Sequence, residues 1–326
     1  MLELQPLRRT RISTDELPAR DRFAMWREIY GRGIFNVEIE PIGETPFHAQ
    51  VDFMLLPDVG IAAGSRSPAS YKVTRELAAR EPDAIVIGIL RSGIASATQC
   101  GKELIDGVGS ACLLFCGEPS SSSLHTEGAF ITLALSRAAI ASRVPNLSAL
   151  AGTGIASTNP ALNLMRRYVE AIGAGAEFED AEIARAVSTH VLDLAALALG
   201  ARGDAADHAR LRGARAARFA VIKSDILAGL GTQSLSPDQI AARHGVSSRY
   251  VRKLFEQHGL SFSGFVLGER LARARRMLAD RSFAHLTIAQ VAHDCGFGDI
   301  SYFNRAFRRH FGATPSDIRG QARRGI

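Results

Sequence analysis

The 326-residue chain is 46% hydrophobic and 22% charged, with a net charge of +6 and four cysteines. This length allows two domains with apolar cores, and four cysteines are too few for a disulfide framework. The sequence contains no run of about 18 apolar residues, and its N-terminus lacks the apolar segment of a signal peptide. We therefore expect a cytoplasmic protein that does not associate with a membrane.

The charge is unevenly distributed along the chain. From Ala214 to the end there are 18 Lys and Arg residues against 8 Asp and Glu residues, a net charge of +10, whereas the preceding part carries −4. A basic part joined to a larger, near-neutral part is typical of a regulated nucleic-acid-binding protein. A soluble basic domain without such a partner would show the same charge, so charge alone leaves both interpretations open.

Up to about Ala134 the sequence predicts β-structure, preceded by a helix within Thr14–Gly33. Short runs such as "IFNVEIEPI", "AIVIGIL" and "AFITLALS" are separated by Gly, Pro, Ser and Asp. Many short strands at this spacing predict a sandwich or a barrel.

Helical spacing of apolar residues begins at about Arg137 and continues to residue 199. One predicted helix carries an apolar stripe of Ile183, Val187, Val191, Leu194 and Leu197. Such a stripe belongs to the core of the domain or to the seam of a dimer, and the sequence leaves both open. Residues 200–216 are small and charged without an apolar stripe, which predicts a linker with some helical content.

The basic part contains a loose internal repeat. The segment "LSPDQIAARHGVSSRYVRKLFEQHG" from Leu235 is echoed by "LTIAQVAHDCGFGDISYFNRAFRRHFG" from Leu286. The first matches are 51 residues apart and the later ones 52, so one residue is inserted just after the glycine of the second copy, where a turn absorbs it.

Each copy has the parts of a helix-turn-helix unit, at about 236–257 and 287–310. Capping boxes are predicted at Ser236 with Gln239 and at Thr287 with Gln290. Each first helix ends near a glycine that can adopt the left-handed turn conformation, and each second helix begins after a capping side chain. These four positions are Gly245, Gly296, Ser247 and Asp299.

The second helix of each copy has two chemically different sides. The predicted inner sides are Tyr250, Val251, Leu254 and Phe255 in copy one, and Tyr302, Phe303, Ala306 and Phe307, with Phe297 and Phe311, in copy two. The predicted outer sides are Ser248, Arg249, Arg252 and Lys253 in copy one, and Ser301, Asn304, Arg305 and Arg308 in copy two. Arg and Asn are the side-chain types that read guanine and adenine edges in the major groove. One such face is usually solvated surface, but two of them on repeated units in a basic domain favour DNA binding.

A long helix over residues 261–280 is predicted between the two copies. At 1.5 Å per residue it is about 30 Å long, enough to hold two reading helices about one DNA turn apart. Its arginines contact phosphate or lie in solvent, and the sequence does not decide between these for Arg270, Arg273, Arg275 and Arg276.

The basic domain resembles the AraC/XylS-type transcriptional regulators over about Ala217–Arg319. The resemblance is carried by "GF" at 296–297, "SYF" at 301–303, Arg305, Phe307, "FG" at 311–312 and "TP" at 314–315. Ile318 stands where the family usually has Tyr, and "GDI" at 298–300 is less polar than in many members.

The N-terminal part is similar to the sensor domains of one branch of this family, in "RFAMWREIYGRGIFNVEI", "SATQCGKELIDGVGSACLL" and "VSTHVLDLAALALGA". The resemblance implies an α+β two-domain fold. Residues 1–199 would form a cupin-like β-barrel or jelly roll with trailing helices, and residues 217–326 an all-α domain of two helix-turn-helix units joined by a long helix. It also implies homodimerisation through the N-terminal helices, an effector such as an aromatic acid, an amine or a sugar, and recruitment of RNA polymerase to promoter DNA.

Enzyme chemistry is not indicated by the β-region. Its histidines are His48 and His125, without a His-x-His pair, so we expect no metal, no cofactor and no enzymatic activity. Cys112 and Cys116 would share a strand face, as small buried residues or, alternatively, as a redox switch. The effector-binding residues stay unknown, and side-chain type alone offers Trp26, Phe47, His48, Phe53, Tyr71, Gln99 and His125, each more typical of ordinary packing.

We therefore predict a sequence-specific DNA-binding transcriptional regulator, an activator that responds to a small molecule bound in its N-terminal domain. One alternative is a constitutive or architectural DNA-binding protein whose β-domain serves only assembly. Another is a DNA-binding module whose β-domain carries out chemistry.

Overall fold

The computed structural model describes residues 9–43, 46–79, 84–173, 180–232 and 234–324. The contacts divide the chain between Arg218 and Phe219 into two units. Residues 1–8 lie outside the described residues, as do the last two residues of the chain.

The first unit is built on two antiparallel sheets. Their strands are β1 (Arg9–Ser13), β2 (Glu38–Pro41), β3 (Ala49–Leu56), β4 (Val59–Arg66), β5 (Ala69–Val73), β6 (Ala84–Leu90), β7 (Ala95–Gln99), β8 (Lys102–Asp106), β9 (Ala111–Phe115), β10 (Ser120–Leu124), β11 (Gly128–Ser136) and β12 (Thr153–Ile155). Within the described residues, one sheet has the order β1-β3-β4-β11-β6-β9-β12 and the other β2-β5-β10-β7-β8. The predicted domain of many short strands is confirmed as a cupin-like, two-sheet architecture.

Helices flank these sheets. They are α1 (Ala19–Trp26), which continues as π-helical turns over Arg27–Phe35, α2 (Arg75–Ala78), α3 (Arg137–Ala141), α4 (Pro160–Gly173), α5 (Ala181–Ala198) and α6 (Gly203–Ala209). The helix predicted within Thr14–Gly33 is therefore present. The region predicted to be helical from 137 also contains a strand, β12, which pairs with β9.

The apolar stripe on α5 is mostly core. Val187, Val191 and Leu194 are buried within the chain itself, so three members of the stripe are already covered. Ile183, at the N-terminal end of the helix, is 53% exposed. The small side chains beside the stripe are buried as well, because α5 packs against α4, α6 and the strands β3 and β4.

Residues 200–216, predicted to be a linker, are largely helical and packed. After α6 come π-helical turns over Arg210–Ala214 and then α7 (Arg215–Ala228). Ala206 and Ala209 are buried, and a Cβ at Gly213 would lie 2.4 Å from the Cβ of Asp193 on α5. The small residues that suggested a linker thus allow a close approach of backbone to α5.

The second unit consists of α8 (Pro237–His244), α9 (Ser248–Glu256), α10 (Phe262–Ala279), α11 (Ile288–Asp294), α12 (Ile300–Phe311) and α13 (Pro315–Arg324), with the C-terminal part of α7. The pairs α8–α9 and α11–α12 are the two predicted helix-turn-helix units. Helix α13 begins within "TPSD" (314–317), where the Thr314 hydroxyl accepts from the Asp317 N–H and the Asp317 carboxylate accepts from the Thr314 N–H.

The helix caps follow the predicted pattern with one correction. Ser236, Ser247, Thr287 and Asp299 each accept a hydrogen bond from a backbone N–H of the first turn. The capping box is complete in copy two, where Gln290 returns a bond to the N–H of Thr287. In copy one it is wrong, because Gln239 donates to the hydroxyl of Ser234 instead.

Two apolar clusters hold the second unit together, one around each helix pair. The first contains Val251, Leu254 and Phe255 of α9, and the second contains Phe303 and Phe307 of α12. Helix α10 contributes the start of its sequence to the first cluster and its later turns to the second, so this one helix anchors both pairs. Its 18 residues give a length of about 27 Å.

Candidate nucleic-acid interface and internal cavity

Helix α12 separates its apolar and polar side chains as the sequence predicts. Phe303 and Phe307 are fully buried. Ser301, Asn304, Arg305 and Arg308 are all exposed on the opposite side. The helix thus presents two guanidinium groups and an amide to solvent from a backbone held in place by its own core.

Helix α9 repeats this arrangement. Arg249, Arg252 and Lys253 are exposed, while Ser248 is half-buried in the first turn. Val251, Leu254 and Phe255 are at most 1% exposed on the other side. Both helices are therefore fixed along one side and cationic along the other.

The cations on these two helices are available to an outside partner. In the described part of the chain, no carboxylate forms an ion pair with Arg249, Arg252, Lys253, Arg305 or Arg308, whereas Arg243 on the neighbouring helix pairs with Asp225 at 3.5 Å. Exposed guanidinium groups at helical spacing suit phosphate oxygens and guanine edges.

One aromatic residue assigned to the core of copy two is placed differently. Tyr302 is 47% exposed, so its assignment to the core is wrong. Its ring centroid lies 6.4 Å from that of Phe297 at the edge of the core. Phe311 is half-buried and packs against the core cluster of α12, with the guanidinium of Arg275 over its ring at 5.1 Å from the centroid. Ile300, in the first turn, is 40% exposed beside Tyr302.

Arg270 of α10 has a role that sequence reasoning missed. Its Nε donates to the carbonyl oxygen of Leu230 at 3.1 Å, and its Nη2 donates to that of Thr232 at 2.6 Å. Burial lowers the pKa of this guanidinium. Arg270 therefore ties the turn after α7 to α10, a role that its sequence neighbours gave no means of predicting.

The first unit contains a cavity of about 460 Å³ that residues of both sheets line. Two cross-strand rows of mostly small residues form one wall: Gly60, Ala134, Val86 and Leu114, and then Ala62, Thr132, Gly88 and Cys112. The large side chains of β6 and β11 alternate with these and are buried on the opposite face, where α3 contacts both strands. The alternation of large and small residues in these strands is the sequence signal for the cavity.

Of the seven residues that side-chain type suggested as effector contacts, only some lie at the cavity. Phe53 and Tyr71 line the cavity. Trp26 and Phe47 are buried in the adjacent aromatic cluster, where Trp26 Nε1 donates to the Tyr71 hydroxyl at 2.8 Å. Gln99 bonds the backbone of Phe115, and the two histidines bond serine hydroxyls, His48 that of Ser67 and His125 that of Ser96. Both Cys112 and Cys116 line the cavity, the first of them buried.

Sequence reasoning missed Arg66 at the end of β4, the one charged side chain that lines the cavity in the part of the chain that the structure describes. Its guanidinium carbon lies 4.1 Å from the centroid of the Tyr71 ring and 5.4 Å from that of Phe130. Burial raises the pKa of the Tyr71 hydroxyl and of the Tyr30 hydroxyl, while the positive charge of Arg66 acts against both shifts. The two phenols are therefore neutral neighbours of a single positive charge.

Neither a metal centre nor a membrane helix is present in the described residues. No three His, Cys, Asp or Glu side chains among them come close enough together to hold a metal ion. None of their helices is both long and apolar enough to span a bilayer.

Two family models match the sequence. A helix-turn-helix domain model matches residues 240–321. An AraC-binding-like domain model matches residues 26–200, which is more than half of the 326 residues.

Curated relatives match part of the chain. The transcriptional activator RhrA of Rhizobium meliloti is 38% identical over 102 residues, which is 31% of this chain and 32% of that protein. The transcriptional activator NphR of a Rhodococcus species is 41% identical over 76 residues, 23% of this chain and 22% of that protein. The chain thus covers about a third or less of the length of these relatives.

Among solved structures, the crystal structure of the AraC-like transcriptional activator CuxR aligns over 82% of this chain and 95% of that chain. The TM-score is 0.51 and the identity 18%, so this likeness concerns the fold.

Proposed function

Because the chain belongs to the AraC family of transcriptional regulators, we propose that it reads specific DNA sequences with α9 and α12 and that a small molecule in the barrel cavity controls this binding. The observation that carries the proposal is the pair of capped helices, each with a buried apolar side and an exposed cationic side. The family consists of regulators and not of enzymes.

The base contacts are assigned to four side chains. Arg249, Arg252 and Arg305 carry the fork of donors that suits guanine O6 and N7, and Asn304 suits adenine. Ser248, Lys253, Ser301 and Arg308 contact phosphates or neighbouring bases. Phosphate contacts position the two helices and base contacts supply the specificity.

The second proposal concerns the first unit: residues 1–199, together with the helical segment packed behind them up to Arg218. We propose that it binds the effector, that its helices join two copies of the chain, and that the DNA-bound dimer activates transcription by helping to recruit RNA polymerase. The cavity supports the first part, since its volume lies within the usual range for small-molecule sites. Ile183 on α5 and Leu211, which is 69% exposed, support the second part as apolar side chains at the surface of this helical region.

The DNA-reading proposal is tested by genomic footprinting of the full chain and of Arg305→Ala. Discrete promoter-proximal peaks that disappear in the variant are expected. At the strongest site, purified Arg305→Ala should lose about 1–3 kcal/mol of binding free energy and relax its preference at one base pair. Arg281→Ala is the matched control, because it removes an exposed charge outside α9 and α12.

An equal loss of affinity for specific and random DNA would contradict the base-reading role of Arg305. Diffuse occupancy in the cell would favour the alternative of an architectural DNA-binding protein.

The proposed dimer is tested separately, by sedimentation of the variants Ile183→Glu and Leu211→Glu. Activation is tested by transcription in vitro with purified polymerase. If both variants still form dimers, Ile183 and Leu211 do not belong to the dimer interface.

A further inference from the structure

The barrel cavity combines an apolar wall with one cation. Aromatic rings of Tyr30, Phe53, Tyr71 and Phe130 and the small-residue rows of the larger sheet make most of its surface. Among the described residues, Arg66 is the one charged side chain that lines it, and no Asp or Glu of this part of the chain does. The interior therefore carries a net positive charge next to surfaces of low polarity.

The guanidinium of Arg66 makes few polar contacts of its own. It donates a hydrogen bond from Nη1 to the carbonyl oxygen of Ala69, which is long at 3.4 Å. No carboxylate of the described residues pairs with it, and its guanidinium carbon lies 4.1 Å from the centroid of the Tyr71 ring and 5.4 Å from that of Phe130. A guanidinium next to aromatic rings still has the N–H donors along its edge to hold another group.

A serine hydroxyl lies on the strand next to Tyr71, the ring that Arg66 approaches. Ser122 of β10 is the cross-strand partner of Tyr71 on β5, so their side chains project from the same face of the smaller sheet, and both line the cavity. Directly opposed residues in an antiparallel pair have Cβ atoms about 5 Å apart. Tyr71 therefore has Arg66 on one side and Ser122 as its cross-strand partner, and all three line the cavity.

We propose that the cavity takes a small molecule with one carboxylate and an apolar, preferentially aromatic body, with the carboxylate on Arg66 and the Ser122 hydroxyl beside it. This inference rests on the proposed effector role of the cavity and specifies its ligand class. A guanidinium edge matches a carboxylate in a two-point contact, and such charge-assisted bonds gain strength away from water. A phosphate with two negative charges would need more cationic partners than the lining offers, and an amine would face Arg66 without a carboxylate.

The test uses the full chain and a neutral fluorescent reporter, N-phenyl-1-naphthylamine, whose emission rises in an apolar pocket. Matched pairs of competitors then displace it: phenylacetate against phenylacetamide, and 4-phenylbutyrate against 4-phenylbutyramide. Each pair shares its apolar body and differs in the charge. We expect the carboxylates to displace the reporter at roughly tenfold lower concentration than the amides.

Three variants locate the effect. Arg66→Met keeps much of the apolar stem and should abolish the preference for carboxylate, while Arg66→Lys should retain part of it. Ser122→Ala should weaken it less than Arg66→Met does. Lys72→Met is the charge-matched control, since Lys72 is exposed on the same strand as Tyr71 and does not line the cavity. Circular dichroism of each variant establishes that it is folded before binding is compared.

The outcomes separate this inference from the function on which it rests. Amides that compete as well as the carboxylates, or a carboxylate preference that survives Arg66→Met, would overturn the ligand class and leave an effector cavity in place. A folded protein that does not bind the reporter would overturn the cavity as a ligand site and the effector role with it. DNA binding by α9 and α12 is measured independently and is not decided by either result.

Discussion

Asp193 and Arg212 form a two-point ion pair, with Nε at 2.9 Å from one carboxylate oxygen and Nη2 at 3.0 Å from the other. The Asp193 side chain is 2% exposed, on the helix at the centre of the first unit's helical layer. Arg143 approaches the same carboxylate at 3.5 Å. The pair fastens the segment after α6, which the sequence predicts to be a linker, to the core helix α5.

Arg212→Met should therefore destabilise the first unit. It leaves the Asp193 carboxylate buried with only Arg143 nearby, and the expected loss is about 1–3 kcal/mol in the free energy of unfolding, because the arginine itself is half exposed. Urea unfolding of the full chain measures it. Arg210→Met is the control: its pair with Asp207 is exposed, so its loss should stay below about 0.5 kcal/mol. Equal losses in the two variants would show that the Arg212–Asp193 pair stabilises the fold no more than the exposed Arg210–Asp207 pair does.

Gly296→Ala should cost more stability than Gly312→Ala. Both glycines have a positive φ, +85° and +72°, so both substitutions carry the strain of a left-handed backbone, about 1–2 kcal/mol. A Cβ at Gly296 would in addition lie 2.4 Å from the carbonyl oxygen of Leu230 and 2.8 Å from Arg270 Nε, whereas at Gly312 it meets no atom within 4 Å. Thermal unfolding compares the two variants, and a Gly312 variant that is equally or less stable would contradict the close packing at Gly296.

The stability of the first unit should depend on pH through His190. Burial lowers the pKa of this imidazole, which Asp193 opposes and Arg212 reinforces, and its Nδ1 is hydrogen-bonded with the Tyr168 hydroxyl at 3.0 Å. In the unfolded chain the group titrates near its ordinary pKa of about 6.5, so just below that pH the unfolded state binds more protons. The His190 contribution is thus fully present above about pH 6.5 and is lost as the pH falls towards the lowered value.

Urea unfolding between about pH 5 and 8 measures this dependence. His190→Gln should flatten the decline on the acid side, while His208→Gln, which removes an exposed histidine, should leave it unchanged. A slope that is identical in wild type and His190→Gln would show that another group is responsible.

Alanine substitutions at two adjacent aromatic residues of α12 should differ strongly in their cost to stability. Phe303→Ala removes a fully buried ring and should cost about 3–5 kcal/mol of stability. Tyr302→Ala changes a residue that is 47% exposed, so we expect a cost of about 1 kcal/mol or less. Unfolding by guanidinium chloride compares them, and a severe loss in the Tyr302 variant would restore this residue to the core.

Much of the second unit could be predicted because its determinants are local. Caps such as Ser247 and Asp299 and the left-handed Gly245 act within a few residues of chain, and the 3.6-residue period of α12 alone separates Phe303 and Phe307 from Arg305 and Arg308. The same period could not place Tyr302, which lies at the border of the two sides. Its exposure depends on how far the neighbouring helices reach.

Other roles depended on distant parts of the chain and were decided by the tertiary structure. Arg270 is chemically identical to Arg275, yet only Arg270 meets the carbonyl groups of Leu230 and Thr232, 40 and 38 residues away. Nothing in the sequence around Arg66 distinguishes it from surface arginines. Strand alternation assigns side chains to two faces but does not tell which face is covered by helices and which encloses a cavity. That choice comes from the pairing of strands far apart in sequence, and it is what brings Arg66, Tyr71 and Phe130 together.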